Sequence, residues 1–308
     1  MIEPVRPTAL VAGDLVALVS PSGPVRSVRA DAAVGVLTGW ELRTRLGRHA
    51  LARTGYLAGT DEQRLADLND AFADPEVRAV LCLRGGYGMQ RIVDGLDLDA
   101  VRADPKLVMG FSDITALHLA LWQGARLATV HGPVAAQLDK GAQSPTALGA
   151  KTVLMSSAPV TVKADEAEST FHVRSAGRAE GVLIGGNLAM LASSVGTAHM
   201  PDLTGAILLV EDVNEQPYRI DRMLTQLLRS GALTGLAGVA IGQFTECDAE
   251  GGPAAEEVLE ERLAPLGVPL LGGLPIGHGD QHVAIGVGVP AVLDADAGTL
   301  HVQPVGRP

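Results

Sequence analysis

The first half of the sequence alternates short apolar runs with segments of helical periodicity, and this alternation restricts the fold more than any other feature. The strand-like runs are DLVALVS at 14–20, VRAVLCLRGG at 77–86, KLVMGFS at 106–112 and ATVHGP at 128–133. Between the first two runs, Thr60 and Gln63 have the spacing of a capping box, which marks the start of a helix. Strands that alternate with helices predict an α/β fold whose N-terminal sheet is mostly parallel and flanked by helices.

A polar segment without periodicity divides the chain. Residues 156–180 have the composition of an inter-domain connection, so we expect an N-terminal α/β domain over residues 1–155. Apolar runs at 205–213 and 238–244, followed by a glycine-rich tail of β-strand character, predict a second, smaller C-terminal α/β domain over residues 181–308, rich in β-strands.

Composition excludes several classes of partner. The chain has 24 basic and 35 acidic residues, a formal charge of −11, and only 3% aromatic residues, so a nucleic acid is not expected to bind. Two cysteines are too few for a disulfide framework or a thiolate metal site, which favours a reducing compartment. The N-terminal segment lacks the pattern of a secretory signal, and no apolar stretch approaches the roughly 18 residues of a membrane span. We therefore expect a cytoplasmic protein with no membrane partner.

Ser112 stands where an apolar run changes into a segment of helical periodicity. A strand that turns sharply into a helix can present a nucleophilic hydroxyl, and the N–H groups of the helix N-terminus can stabilise an oxyanion. Serine is equally an ordinary helix N-cap. Ile114 occupies the position of the last glycine in the Gly-x-Ser-x-Gly pattern, so the match to that pattern is incomplete. These residues alone leave both interpretations open.

Two histidines are candidates for a general base. His278 is flanked by glycines that could project its imidazole from a loop, and His131 follows a predicted strand in the same half as Ser112. His118 falls on the apolar face of its helix, which predicts a core residue. His278 and His282 have a spacing that binds zinc on a helix, but the neighbouring glycines argue against a helix, and we expect no metal.

A base of this kind needs a carboxylate that orients it. Glu211 ends a strongly apolar run and is the first candidate, with Asp212 and Glu215 as competitors that could serve turn or helix-start chemistry instead. The RGGYG loop at 84–88 could expose N–H groups to an oxyanion, or it could be a tight turn without further role. In GGNL at 185–188 we expect Asn187 to cap a helix.

Taken together, these motifs resemble the LD-carboxypeptidase family, also called muramoyl-tetrapeptide carboxypeptidases. The resemblance covers nearly the whole chain and rests on RGGYG at 84–88, GFSDITAL at 110–117, EDVNEQPYRIDRML at 211–224 and GHG at 277–279, with VSPSGP, HGP and GGNL in the expected order. It implies a serine peptidase without metal or cofactor, with Ser112 as nucleophile, Glu211 as orienting acid and His278 as base.

The resemblance also implies a substrate. Family members release the terminal D-alanine of cytoplasmic murein tetrapeptides during cell-wall recycling and are typically homodimers. Backbone N–H groups of Gly86 and Asp113 are then expected to form the oxyanion hole. A terminal carboxylate needs cationic or N–H partners, for which Arg84, Arg219 and Arg222 are the candidates. We expect Arg84, Tyr87 and Arg219 to bind the substrate. The resemblance also includes a branch of the family that hydrolyses peptidyl-nucleotides of the microcin C type and gives self-immunity, and this activity is an alternative. A non-catalytic peptide-binding cleft is a second alternative.

Overall fold

Strands and helices alternate through the N-terminal half of the chain, as the apolar runs predict. The computed structural model describes residues 3–249 and 251–308. The chain divides into two units: unit 1 extends to Ala158 and includes Ala284–Gly286 and Pro304–Pro308, and unit 2 comprises Pro159–Val283 and Val287–Gln303.

Unit 1 is built on a mostly parallel sheet. Its strands are β1 (Leu15–Val19), β2 (Arg43–Leu46), β3 (Val77–Cys82), β4 (Leu107–Gly110) and β5 (Thr129–His131). Its helices are α1 (Ser27–Gly39), α2 (Asp61–Ala73), α3 (Leu98–Ala103), α4 (Thr115–Ala125) and α5 (Pro145–Met155). The strand order is β5-β4-β3-β1-β2 with all four pairings parallel, and Ile285–Val287, β12 in chain order, pairs with β5 at the edge. The predicted α/β class is confirmed.

The central strands of this sheet are fully buried. Every residue of β1 and β4 lies in the core, which explains why their sequences are continuous apolar runs rather than alternating ones. Because β1, β3 and β4 are parallel neighbours, the loops that follow them leave the same edge of the sheet. Helix α2 begins at the predicted capping box, in which Thr60 N–H donates to Gln63 Oε1 over 2.9 Å.

Unit 2 has an eight-stranded mixed sheet. Its strands are β6 (Val160–Lys163), β7 (Arg174–Ser175), β8 (Arg178–Asn187), β9 (Ile207–Val213), β10 (Gly238–Thr245), β11 (Leu270–Leu271), β13 (Val289–Asp294) and β14 (Thr299–Val302). Its helices are α6 (Leu188–Ser194), α7 (Pro217–Arg229) and α8 (Ala255–Leu263). The strand order is β6-β14-β13-β8-β9-β10-β11-β7, and the pairings among β8, β9, β10 and β11 are parallel.

From Pro159 onward, the polar segment 156–180 belongs to unit 2 and forms strands of its own. Strand β6 pairs antiparallel with β14, and β7 pairs antiparallel with β11. Both strands lie at the edges of the sheet, and β6 buries only Val162, so its sequence lacks the apolar run of a central strand. None of the helices within the described residues is long and apolar enough to cross a membrane.

Candidate active site

Ser112 has an unusual backbone conformation. Its φ is +64°, and it begins a short 3₁₀ turn, Ser112–Ile114, that leads into α4. A non-glycine residue in this region costs about 1–3 kcal/mol, and such residues concentrate at functional sites. The residue in the N-cap position of the turn is Phe111, and no side-chain capping bond is made there. The interpretation of Ser112 as a helix cap is therefore wrong.

Two glycines make room for this turn. A Cβ atom on Gly85 would lie 3.0 Å from Ser112 Cβ and 3.3 Å from its Oγ, so the RGGYG loop packs directly against the serine side chain. A Cβ atom on Gly110 would lie 2.9 Å from Cγ2 of the buried Ile114. In the Gly-x-Ser-x-Gly pattern the last glycine relieves crowding at the turn, but here Ile114 stands at that position. Gly110, which has no Cβ atom, leaves the room that the Ile114 side chain needs.

The Asp113 side chain connects the three loops that follow β1, β3 and β4 at the edge of the sheet. Its Oδ2 accepts a hydrogen bond of 2.5 Å from Ser22 Oγ and one of 2.8 Å from Met89 N–H. Burial raises the pKa of this carboxyl, while the two hydrogen bonds oppose the rise. Gly23 N–H also donates to Gly85 O over 2.9 Å. Asp113, which was expected to contribute only a backbone N–H, therefore also accepts hydrogen bonds through its buried carboxylate, a role that was not predicted from the sequence.

Arg64 is a second buried connection between these loops, and it was not among the residues predicted from the sequence. Its side chain is only 1% exposed, and its guanidinium donates to Gly88 O over 2.8 Å, to Pro21 O and to Asp61. The signal was present in the sequence, because Arg64 occupies the apolar face of α2 that also carries Leu68.

His118 and His131, the two histidines of unit 1 considered in the sequence analysis, are core residues. His118 is 3% exposed and donates its Nε2–H to Gly110 O over 2.9 Å, as its position on the apolar face predicts. Burial lowers the pKa of His118 to about 4, so it remains neutral at physiological pH. His131 is fully buried with its ring 6.0 Å from that of Phe111, so it is not accessible as a general base for a substrate.

In unit 2 the structure brings Glu211 and His278 together. Glu211, in β9, is completely buried, and its Oε2 lies 2.6 Å from Nδ1 of His278. A carboxylate only accepts hydrogen bonds, so Nδ1 carries the proton and Nε2 is left as the basic nitrogen. Burial acts to lower the pKa of His278, but the charge and hydrogen bond of Glu211 outweigh it, and the pKa is raised above its usual value.

The loop that carries His278 is held tightly. Gly277 has a φ of +136°, and a Cβ atom there would lie 2.8 Å from Glu211 Oε2. The buried Gln243 side chain accepts from Gly279 N–H over 2.7 Å and donates to Gln281 O over 3.1 Å. These contacts fix the backbone on both sides of the imidazole.

His282 does not share a helix with His278. The segment between β11 and β12 has no helical residues, in agreement with the expectation drawn from its glycines. His282 is 4% exposed, and burial lowers its pKa to about 3. Within residues 3–249 and 251–308, no group of three or more His, Cys, Asp or Glu side chains is arranged to hold a metal ion.

Asp212 and Glu215, the two alternatives to Glu211 as orienting acid, interact with other residues. Asp212 accepts from the Asn187 side chain over 2.8 Å and from the N–H groups of Val213 and Ala189, and burial together with the nearby Glu211 raises its pKa to about 7. Asn187 also caps α6, as predicted. Glu215 forms an ion pair of 2.8 Å with Arg219 one helical turn away.

The residues expected to bind substrate are mostly exposed. Arg84 is exposed and donates to Pro24 O over 2.7 Å. Tyr87 is 52% exposed and meets Tyr56 edge to face, with ring centroids 5.6 Å apart. Gly86, beside it in the same loop, is exposed with a φ of +107°. Arg222 lies over the ring of Tyr218 at 5.3 Å rather than against a carboxylate.

Comparison with known families gives a match in each half of the chain. Residues 16–132 match the model of the LD-carboxypeptidase N-terminal domain, and residues 180–293 match the model of the LD-carboxypeptidase C-terminal domain. Ser112 lies in the first match, and Glu211 and His278 lie in the second.

Individual relatives cover almost the entire chain. A murein tetrapeptide carboxypeptidase of Pseudomonas aeruginosa is 39% identical over 91% of this chain and 93% of its own. The crystal structure of a muramoyltetrapeptide carboxypeptidase from Oxalobacter formigenes has a TM-score of 0.84 and 31% identity, with 95% of this chain and 100% of that chain covered. The wild-type microcin C7 self immunity protein has a TM-score of 0.88 at 23% identity, covering 97% and 98% of the two chains, a likeness that concerns the fold alone.

Proposed function

Because this chain belongs to the LD-carboxypeptidase family, a family of serine peptidases, we propose that it removes the terminal D-alanine from murein tetrapeptides. The bond hydrolysed is the amide between an L-configured centre and D-alanine. The Pseudomonas and Oxalobacter relatives, named for murein and muramoyl tetrapeptides, support this choice of substrate.

The observation that carries the proposal is the hydrogen bond between His278 and Glu211. An imidazole whose Nδ1–H is fixed by a buried carboxylate presents a basic Nε2 and is stabilised when it becomes charged. A binding protein has no need for this arrangement, whose desolvated carboxylate is costly unless it is paired. Ser112, held at a positive φ at the end of a buried strand, supplies the nucleophile that such a base serves.

In the first half of the reaction, Ser112 Oγ attacks the carbonyl carbon of the L-centre. Its proton passes to Nε2 of His278, and the carbonyl electrons form an oxyanion bound by the N–H groups of Gly86 and Asp113. The oxyanion collapses, the C–N bond breaks, and His278 gives the proton to the departing amine of D-alanine. The peptide is left as an ester on Ser112.

In the second half, His278 takes a proton from a water molecule that attacks the ester. The second tetrahedral intermediate collapses, the C–O bond to Ser112 breaks, and the serine oxygen recovers the proton from His278. The products are the tripeptide acid and D-alanine, and the enzyme is regenerated. Arg84, Tyr87 and Arg219 remain our candidates for contacts with the terminal carboxylate and the peptide.

The test is release of D-alanine from a murein tetrapeptide, followed by mass spectrometry. We expect the wild-type protein to give tripeptide and free D-alanine, and Ser112→Ala to give neither. Ser144→Ala is the matched control, because Ser144 caps α5 through a bond of 3.2 Å to Ala147 N–H and has no part in the reaction. No release by the wild-type protein, or equal release by Ser112→Ala, would refute the proposal.

We also propose that the reaction takes place in the cytoplasm and that the enzyme is a homodimer. Cytoplasmic murein fragments are the substrate pool that a recycling enzyme of this family consumes. Cell fractionation with a specific antibody and light scattering of the purified protein test these two statements separately. Recovery in the periplasmic fraction would contradict the first, and a monomeric mass would contradict the second.

A further inference from the structure

Ser112 is surrounded by loops whose mutual placement depends on two buried charged side chains. We propose that Asp113 and Arg64 are positioning residues, which hold the RGGYG loop at 84–88 and the loop at 20–24 against the nucleophile. The inference deepens the proposed serine peptidase function, since an oxyanion donor in the 84–88 loop acts only if that loop is correctly placed relative to Ser112.

The first support is the way in which Asp113 makes its bonds. A single oxygen, Oδ2, accepts both from Ser22 Oγ at 2.5 Å and from Met89 N–H at 2.8 Å. Ser22 is fully buried and Asp113 is 3% exposed, so neither bond competes with bulk water. The residue that follows the nucleophile thereby fixes one point on each of the two neighbouring loops.

The second support is the position of Arg64. One guanidinium nitrogen, Nη1, donates to Pro21 O and to Gly88 O, which lie in the same two loops that Asp113 joins. A Cβ atom on Gly88 would lie 2.9 Å from this nitrogen, so the guanidinium packs directly on the backbone of the RGGYG loop. Asp61 pairs with both Arg64 and Arg91, which keeps the guanidinium in place.

These bonds have a catalytic consequence because Gly85 packs directly on Ser112. Gly85 is tied to the 20–24 loop through the bond between its carbonyl and Gly23 N–H at 2.9 Å. If either loop moves, the distance between the serine oxygen and the N–H groups of the RGGYG loop changes. A displacement of about 1 Å in such a site reduces turnover by roughly 100-fold.

The experiment compares Asp113→Ala with Asp113→Asn. Alanine removes the shared acceptor, whereas asparagine keeps an oxygen that can receive both hydrogen bonds without the charge. We expect Asp113→Ala to lower kcat by about 10- to 100-fold with KM changed less than about threefold, and Asp113→Asn to recover at least about tenfold of that loss. Ser22→Ala, which removes one of the two donors, should lower kcat by a smaller factor.

A second readout does not depend on peptidase activity. Hydrogen exchange followed by mass spectrometry should show faster exchange of the backbone amides in residues 84–89 of Asp113→Ala, with protection restored in Asp113→Asn. The matched control is Asp67→Ala, because Asp67 is also buried and accepts two hydrogen bonds, both from His49. It should lose thermal stability and retain both kcat and the exchange pattern of the 84–89 segment.

The outcomes separate this inference from the proposed function. If the wild-type protein releases no D-alanine, the proposed function fails, and the exchange experiment still decides whether Asp113 holds the loop. If Asp113→Ala loses thermal stability as Asp67→Ala does but keeps its kcat and its protected 84–89 segment, Asp113 is an ordinary buried residue and the inference is overturned.

Discussion

Glu211 Oε2 and His278 Nδ1 are 2.6 Å apart, and the carboxylate of Glu211 is completely removed from solvent. This pairing separates Glu211 from Glu215, which the residue types alone do not distinguish. We expect Glu211→Gln to reduce kcat for D-alanine release by about 100- to 10,000-fold, because an amide neither stabilises the imidazolium nor enforces its tautomer.

The control for this prediction is Glu215→Gln. Glu215 pairs with Arg219, whose side chain is 53% exposed, and a pair of this kind contributes little to stability. The kcat of Glu215→Gln should stay within about twofold of the wild-type value. A larger loss in Glu215→Gln than in Glu211→Gln would reverse the assignment of the orienting acid.

The pH dependence of the reaction should report on the same pair. His278 must be neutral to accept a proton, so kcat/KM falls as the pH drops through its pKa. Glu211 raises that pKa above the usual 6.5, which places the acidic limb of the wild-type profile above pH 6.5. In Glu211→Gln the raising interaction is lost, and the limb should move to lower pH although the rate is reduced. Profiles of kcat/KM from pH 5 to 9 measure this, and coincident limbs would contradict it.

Gly277 should tolerate no side chain. Its φ of +136° is unfavourable for other residues, and a Cβ atom would approach Glu211 Oε2 to 2.8 Å, so Gly277→Ala must displace His278 or Glu211. We expect kcat to fall by at least about tenfold. Gly205→Ala is the control, because Gly205 also has a positive φ but no atom lies within 4 Å of its Cβ position. It should lose about 1–2 kcal/mol of stability and no activity.

Gly85 in unit 1 resembles Gly277 in unit 2, because a side chain there would also press on a residue of the proposed site. In Gly85→Ala the new methyl group would be 3.0 Å from Ser112 Cβ and 3.2 Å from Phe111 O, so we expect kcat to fall by about 10- to 100-fold. Gly149→Ala, in the interior of α5 with open space at its Cβ position, should instead raise the unfolding free energy by about 0.5–1 kcal/mol and leave turnover unchanged. Steady-state kinetics and thermal unfolding of both variants test the contrast.

Local signals account for what could be predicted from the sequence. Buried parallel strands require continuous apolar runs, and the first turn of a helix requires a particular side chain, so the α/β class and the caps at Thr60 and Asn187 were recognisable. The residues alone left Asp212 and Glu215 as alternatives to Glu211. Only the motif resemblance indicated Glu211 and His278 as a pair. Strands β6 and β7 could not be recognised, since short edge strands bury too little to leave an apolar pattern.

Long-range hydrogen bonds account for what could not be predicted. Nothing near Asp113 in the sequence indicates that its carboxylate meets Ser22, because the contact arises only when β1 and β4 lie in the same sheet. Burial of Arg64 was only weakly indicated, by its position as a charged residue on the apolar face of α2. Its two partners in the loops, the carbonyl groups of Pro21 and Gly88, are backbone atoms that any residue would have supplied.

The hydrogen bond from Ser22 to Asp113 joins residues 91 positions apart, and this separation bears on the order in which parts of the chain fold. Closing a loop of that length costs conformational entropy that only the finished tertiary structure repays. The surroundings of Ser112 should therefore be completed late in refolding, after the helices and most of the sheet. Recovery of D-alanine release after dilution from denaturant should lag behind recovery of far-UV circular dichroism. A newly made chain would pass through a stage in which it has its secondary structure but is not yet a peptidase.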